Sequence, residues 1–149
     1  MIYIGIDPGL SGAICCLSEE EVQFHDIGDL RQTLCLYVAK DKKVAIERQG
    51  VRPGQAGMGK MMRNYGRLLG IMEAFSVVPT EVQARVWYKH YGIKAGLTVK
   101  NRKNETAQLM LSKYPLLESE FYGPRGGLID GRTDALAIAN WLMETSGSV

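Results

Sequence analysis

IYIGIDPGLSGA, residues 2–13, decides the fold. Ile2, Ile4 and Ile6 alternate with Tyr3 and Gly5, the two-residue period of a β-strand. The strand ends on Asp7, and Pro8, Gly9 and Gly12 then turn the chain sharply. Residues 13–17 are apolar again and read as a second strand, and residues 22–27 as a third beyond the acidic turn at 18–21. Strands this close in sequence predict an antiparallel meander. The unusual feature is an acidic residue at the end of an otherwise buried strand.

Downstream the periods alternate between strand and helix. Asp29 is placed to cap a helix carrying Leu30, Leu34 and Val38 on one face, and residues 44–46 form a short fourth strand that runs into Glu47. A Gly-, Pro- and Gln-rich loop leads to the strongest helical pattern. There Met58, Met61, Met62, Tyr65, Leu68, Leu69 and Met72 recur at intervals of three and four. Gly66, Gly70 and Ala74 form a second stripe on this helix. Interior glycines cost a helix about 1 kcal/mol each, so the stripe predicts close approach of another backbone, a strand or a second copy of the helix. Residues 76–83 predict a fifth strand, 84–92 a short helix, 94–104 a basic loop, about 102–114 a helix and 118–128 a loop. The last helix starts near Ile129, with Ala135, Ile138, Ala139 and Leu142 inward. The expected fold is α/β, a mixed five-stranded sheet flanked by helices, in one domain over residues 1–144 with a flexible tail at 145–149.

The chain has 149 residues, 46% hydrophobic and 23% charged, which is ordinary for a globular domain. No apolar run is long enough for a membrane span, and no basic segment followed by an apolar one marks a leader, so a cytoplasmic protein is expected. Three cysteines, two of them adjacent, make neither a disulfide framework nor a zinc pattern. Charge is segregated. Residues 48–104 hold eleven basic and two acidic side chains, a net +9, whereas the remainder is −7. A cationic middle beside carboxylate-rich flanks predicts a polyanion-binding face next to an acidic centre.

The acids that sit in odd places are Asp7 and Glu47, at two strand ends, and Asp130 and Asp134, one turn apart on the last helix. If the first and fourth strands are neighbours, Asp7 and Glu47 converge, and a helix across that edge adds Asp134. Converging carboxylates repel one another unless they are neutralised, and oxygen-only ligands suit Mg²⁺ or Mn²⁺. Two such ions form the site that hydrolyses phosphodiesters.

Three motifs in order, IGIDPGLSGA, the lone Glu47 and DGRTDALAIANWL, resemble the RuvC family of Holliday-junction resolvases, in the RNase H-like, retroviral-integrase superfamily. The segment 52–75, with its Tyr65-Gly66 pair, is similar to small phage-type members, and the helix with Trp87 and Lys89 resembles theirs. The resemblance implies an RNase H-like fold and two ions per site held by Asp7, Glu47, Asp130 and Asp134. It implies a homodimer that cuts four-way junctions and other branched DNA into ligatable nicks with 5′-phosphate and 3′-hydroxyl ends. DNA contacts would come from Arg52, Lys60, Arg63, Arg67, Lys89, Lys100, Arg102 and Lys103, with Tyr65 as a stacking wedge and Trp87 beside it. One departure concerns the helix: bacterial members space its two acids three apart, whereas here Asp130 and Asp134 are four apart and Gly131 takes the three-apart position. An RNase H-type or ribosomal-RNA-processing nuclease and a non-catalytic nucleic-acid-binding module remain alternatives.

Overall fold

The alternating residues 2–6 become the middle strand of a five-stranded sheet. In a computed structural model, which describes residues 1–50 and 53–147, β1 (Ile2–Ile6) lies between β2 (Ala13–Leu17) and β4 (Lys42–Glu47). β3 (Val22–Asp26) flanks β2 and β5 (Thr80–Val82) flanks β4, so the order is β3-β2-β1-β4-β5. β1 with β2 and β2 with β3 pair antiparallel, whereas β4 and β5 add parallel on the far side of β1. The sheet as a whole is therefore mixed rather than a simple meander. Parallel pairing needs both faces covered, and helices cover them. α1 (Leu30–Leu36) and α2 (Met58–Ala74) pack on Ile2, Ile4 and Ile6 through Leu30, Leu34, Tyr65, Leu68 and Met72. α6 (Asp130–Ser146) lies across the opposite face, with α3 (Ala84–His90) and α4 (Val99–Lys113) beside it.

α6 sits unusually close to the sheet. A Cβ at Gly5 would lie 2.2 Å from the Ala135 carbonyl oxygen and 2.4 Å from the Ala139 nitrogen, so only glycine lets this helix cross β1. At its start, a Cβ at Gly131 would lie 2.2 Å from the Ser11 carbonyl oxygen and 3.0 Å from Gly12 Cα. Gly131→Ala is therefore expected to destabilise the fold by about 2–3 kcal/mol, read as a lower urea midpoint, because the neighbouring atoms are backbone and cannot rotate away. Gly66 and Gly70 behave oppositely. Both are exposed, and nothing lies within 4 Å of a Cβ built on either, so the expected approach of a strand to this stripe does not occur.

Several boundaries differ from expectation for local reasons. The fifth strand is only three residues long. Ser76 takes a left-handed φ of 54° after α2, Val78 is 93% exposed, and Pro79 has no N–H to offer a ladder. α4 begins earlier than expected because the Thr98 hydroxyl caps it, accepting the Asn101 N–H at 3.2 Å. The stretch 118–128 is not simply loop: it holds a short helix, α5 (Glu118–Phe121), and an antiparallel bridge between Tyr122 and Leu128. Val38 is 67% exposed and lies beyond α1. The expected tail is partly helical, since α6 runs to Ser146 and the Thr145 hydroxyl bonds the Trp141 carbonyl at 2.8 Å. Among the described residues no helix is long and apolar enough to cross a membrane.

Candidate functional site

β1 and β4 run parallel with Ile6 beside Ile46, so the next residues, Asp7 just past β1 and Glu47 at the end of β4, stand side by side. Side chains alternate along a strand, so Asp7 shares the face of Tyr3 and Gly5, and Glu47 shares that of Ala45. That is the face covered by α6, the helix that carries Asp130 and Asp134. The two glycine contacts press the first turns of α6 against this edge. They also explain the spacing of its acids: position 131 meets the 9–12 turn and has no room for a side chain, so the first acid stands at 130.

The four acids, all half-buried, feel one another. Burial pushes the Asp134 carboxyl well above the usual carboxylate range, and the charges of Asp7, Glu47 and Asp130 push it further. Burial likewise raises Glu47 to about 7, with Asp7 adding to the rise and the Trp87 N–H opposing it. Asp7 is raised by burial and by Asp130, and lowered by the Gly9 N–H that its Oδ1 accepts at 3.0 Å and by Lys103. Asp134 Oδ1 is buried and has no hydrogen-bond partner. A cation stands among them, Lys103 of α4, which pairs with Asp130 and whose own ammonium is stabilised by Asp130, Asp134 and Asp7.

An all-oxygen donor set, mutual repulsion and an orphaned buried oxygen together fit a hard divalent cation. Asp7, Glu47, Asp134 and Asp130 are the residues that could hold it. Among the described residues, no three such side chains are already drawn into a ligand cluster.

The predicted DNA-contacting residues divide. Trp87 is not at the surface: it is fully buried, and its Nε1–H donates to Glu47 Oε2 at 3.0 Å. Tyr65 is likewise in the core, 6% exposed, with its hydroxyl donating to Glu81 Oε2 at 2.5 Å, so its ring is not free to act as a wedge. Lys60, Arg63, Arg67, Lys89 and Lys100 are exposed. Arg52 lies outside the described residues. A groove of about 920 Å³ between α3 and α4 is lined by Arg85, Lys89, Lys94 and Arg102 with Tyr88. A second, of about 680 Å³, runs from Glu47 past Arg48 and Arg85.

Sequence reasoning missed Tyr88. Its ring lies 4.0 Å from Trp87 and 5.7 Å from the Arg102 guanidinium, and its hydroxyl is held protonated by burial and by the charges of Asp134, Glu47 and Asp7. The available signal was the Trp-Tyr pair itself, since adjacent helical residues point about 100° apart and one of two aromatics must leave the core. Trp87→Phe removes the donor to Glu47. Its expected effect is a higher Glu47 pKa and about tenfold weaker Mn²⁺ binding, checked by titration calorimetry across pH.

No family model and no curated protein matches this chain.

Proposed function

We propose that this chain is a metal-dependent, structure-selective DNA endonuclease, a RuvC-like resolvase on an RNase H-like fold. It nicks four-way junctions and related branched DNA in symmetric pairs. The observation that carries the reading is the convergence of Asp7, Glu47, Asp134 and Asp130, from two strand ends and one helix, at an edge bordered by cationic grooves. Nothing in the fold itself requires four acids there, and their repulsion costs stability. A phosphodiester-cleaving centre supplies the reason.

When bound, two Mg²⁺ or Mn²⁺ ions would supply Lewis-acid chemistry, favouring deprotonation of the attacking water and offsetting charge on the leaving 3′ oxygen. The chain's own residues do the rest. The parallel strand ends hold Asp7 and Glu47 in fixed register. The Trp87 N–H orients Glu47. Lys103 faces the carboxylates with a charge that opposes both theirs and, in the transition state, that of the phosphate. Arg85, Lys89 and Arg102 track the backbone. The products keep a 5′-phosphate and a 3′-hydroxyl and can be religated. The exposed Gly66, Gly70 and Ala74 face of α2 supports pairing with a second copy, which would place one site on each of two arms. In this reading the protein works on DNA in the cytoplasm of a bacterial or phage-infected cell.

The test compares an immobile four-way junction, the matching linear duplex and an RNA–DNA hybrid, each with Mg²⁺ or EDTA. Paired nicks confined to the junction and to Mg²⁺ are the expected result. Equal cleavage of the hybrid contradicts the junction reading, and junction binding with no cleavage of any substrate contradicts the enzyme reading.

A further inference from the structure

A third groove, of about 640 Å³, is lined in part by Asp130. Lys100 and Lys103 are joined there by Val99, Leu128, Tyr122 and Asn104. Lys100, exposed, and Lys103, which also pairs with Asp130, are the groups that meet phosphate. An aromatic ring, two aliphatic side chains and an amide add nothing to phosphate binding, but they are the groups that hold a nucleobase by stacking and by hydrogen bonds to its edge.

Tyr122 is rigidly mounted. The Ile129 N–H donates to the Phe121 carbonyl at 2.7 Å and the Gly123 N–H to the Gly127 carbonyl at 2.8 Å, which closes a short hairpin around the Tyr122–Leu128 bridge. Phe121, next in the chain, is fully buried and meets Phe24 edge-on at 6.2 Å. Arg132 of α6 donates to the Glu120 carbonyl at 3.0 Å and to its carboxylate at 2.7 Å. Tyr122 itself is 37% exposed on this anchored base.

We propose that this groove receives one unstacked nucleobase of the strand being cut, its ring on Tyr122, its edge at Asn104 and its flanking phosphate at Lys100 and Lys103. The inference rests on the nuclease reading and adds to it a base-dependent choice of cleavage position. Branch points suit such a site, because a base that is incompletely stacked costs less to move out. The Asn104 amide presents a donor and an acceptor together, which complements the donor–acceptor edge that an unpaired base exposes.

The test reads binding without cleavage, in EDTA, on four-way junctions carrying a single 2-aminopurine at successive positions around the branch. Fluorescence changes at one position with wild type and with Tyr122→Phe, and the change is lost with Tyr122→Leu, which binds the junction about tenfold more weakly. A second arm needs no variant: an abasic site at that same position weakens wild-type binding about tenfold, and abasic sites elsewhere do not. Unaltered fluorescence changes in Tyr122→Leu, or abasic effects independent of position, overturn the inference and leave the nuclease reading standing. A wild-type protein that neither binds nor nicks the junction overturns both.

Discussion

Asp134→Asn abolishes nicking and, in the absence of metal, raises the melting temperature. Asp134 has a buried, unpartnered oxygen, and burial first and its three acidic neighbours second push its carboxyl well above its ordinary range. The folded state therefore either holds a poorly solvated charge or takes up a proton, and at neutral pH each costs free energy that the unfolded chain does not spend. Asparagine keeps the shape and removes that charge, a gain of about 1–2 kcal/mol, or roughly 3–6 °C for a domain of this size. The same change removes an anionic metal ligand, and the expected loss of single-turnover nicking is about a thousandfold or more. Junction affinity in EDTA is unchanged or slightly stronger. A variant that is less stable and still active would mean that Asp134 is an ordinary structural carboxylate.

The second large effect is a dependence of stability on pH that divalent metal cancels. Glu47, Asp7 and Asp134 all have folded pKa values above their ordinary ones. For a carboxyl raised in this way the folded state binds more protons than the unfolded one. Stability is then fully present below the unfolded pKa and is lost as pH rises through the folded one. For Glu47, moved from 4.5 to about 7, the loss between pH 4 and pH 8 is about 3 kcal/mol. Glu144 acts in the opposite sense at the acid end. Hydrogen bonds with His90, Lys113 and Asn140 and the Lys113 charge outweigh its burial and hold it down at about 2, so its contribution is present above its ordinary pKa and fades as pH falls towards 2. In EDTA the melting temperature is therefore expected to rise by about 5–10 °C as pH is lowered from 8 to 5.5. In millimolar Mg²⁺ the carboxylates stay ionised and paired with the ions, and the curve flattens. Parallel curves with and without metal would contradict the metal assignment.

The sheet was legible because its strands are short, apolar and strictly bounded. Residues 2–6 and 13–17 end where the turn chemistry says they should, and α2 spans the full run of its methionine and leucine pattern, 58–74. The acidic residues were legible because each breaks an apolar frame: Asp7 after Ile6, Glu47 after Ile46, Asp134 before Ala135. Orientation was not legible. Nothing in the one-dimensional pattern says that Trp87 turns inward to Glu47 while Tyr88 faces the acids, because both are aromatic and both suit either side of a half-buried helix. Tyr65 was misread for the same reason: an amphipathic ring with a polar tip fits a DNA surface and a core equally well, and here Glu81 supplies the partner its hydroxyl needs. The stripe at Gly66 and Gly70 suits close approach of a strand or of a second copy, and the pattern alone does not choose between them; no strand of the same chain approaches it. The hairpin carrying Tyr122 escaped notice because it is held mainly by backbone hydrogen bonds and by two anchors distant in sequence, Phe24 and Arg132.

In the proposed mechanism Asp7 marks a metal-dependent cutting centre. The most direct measurement is nicking of an immobile four-way junction by wild type and by Asp7→Asn, with Mg²⁺ and with EDTA, under conditions where both proteins bind the junction. Symmetric nicks by wild type in Mg²⁺ alone, and none by the variant, are the expected result. Nicking that survives EDTA or the loss of Asp7, or bound junction that wild type leaves intact in Mg²⁺, would contradict it.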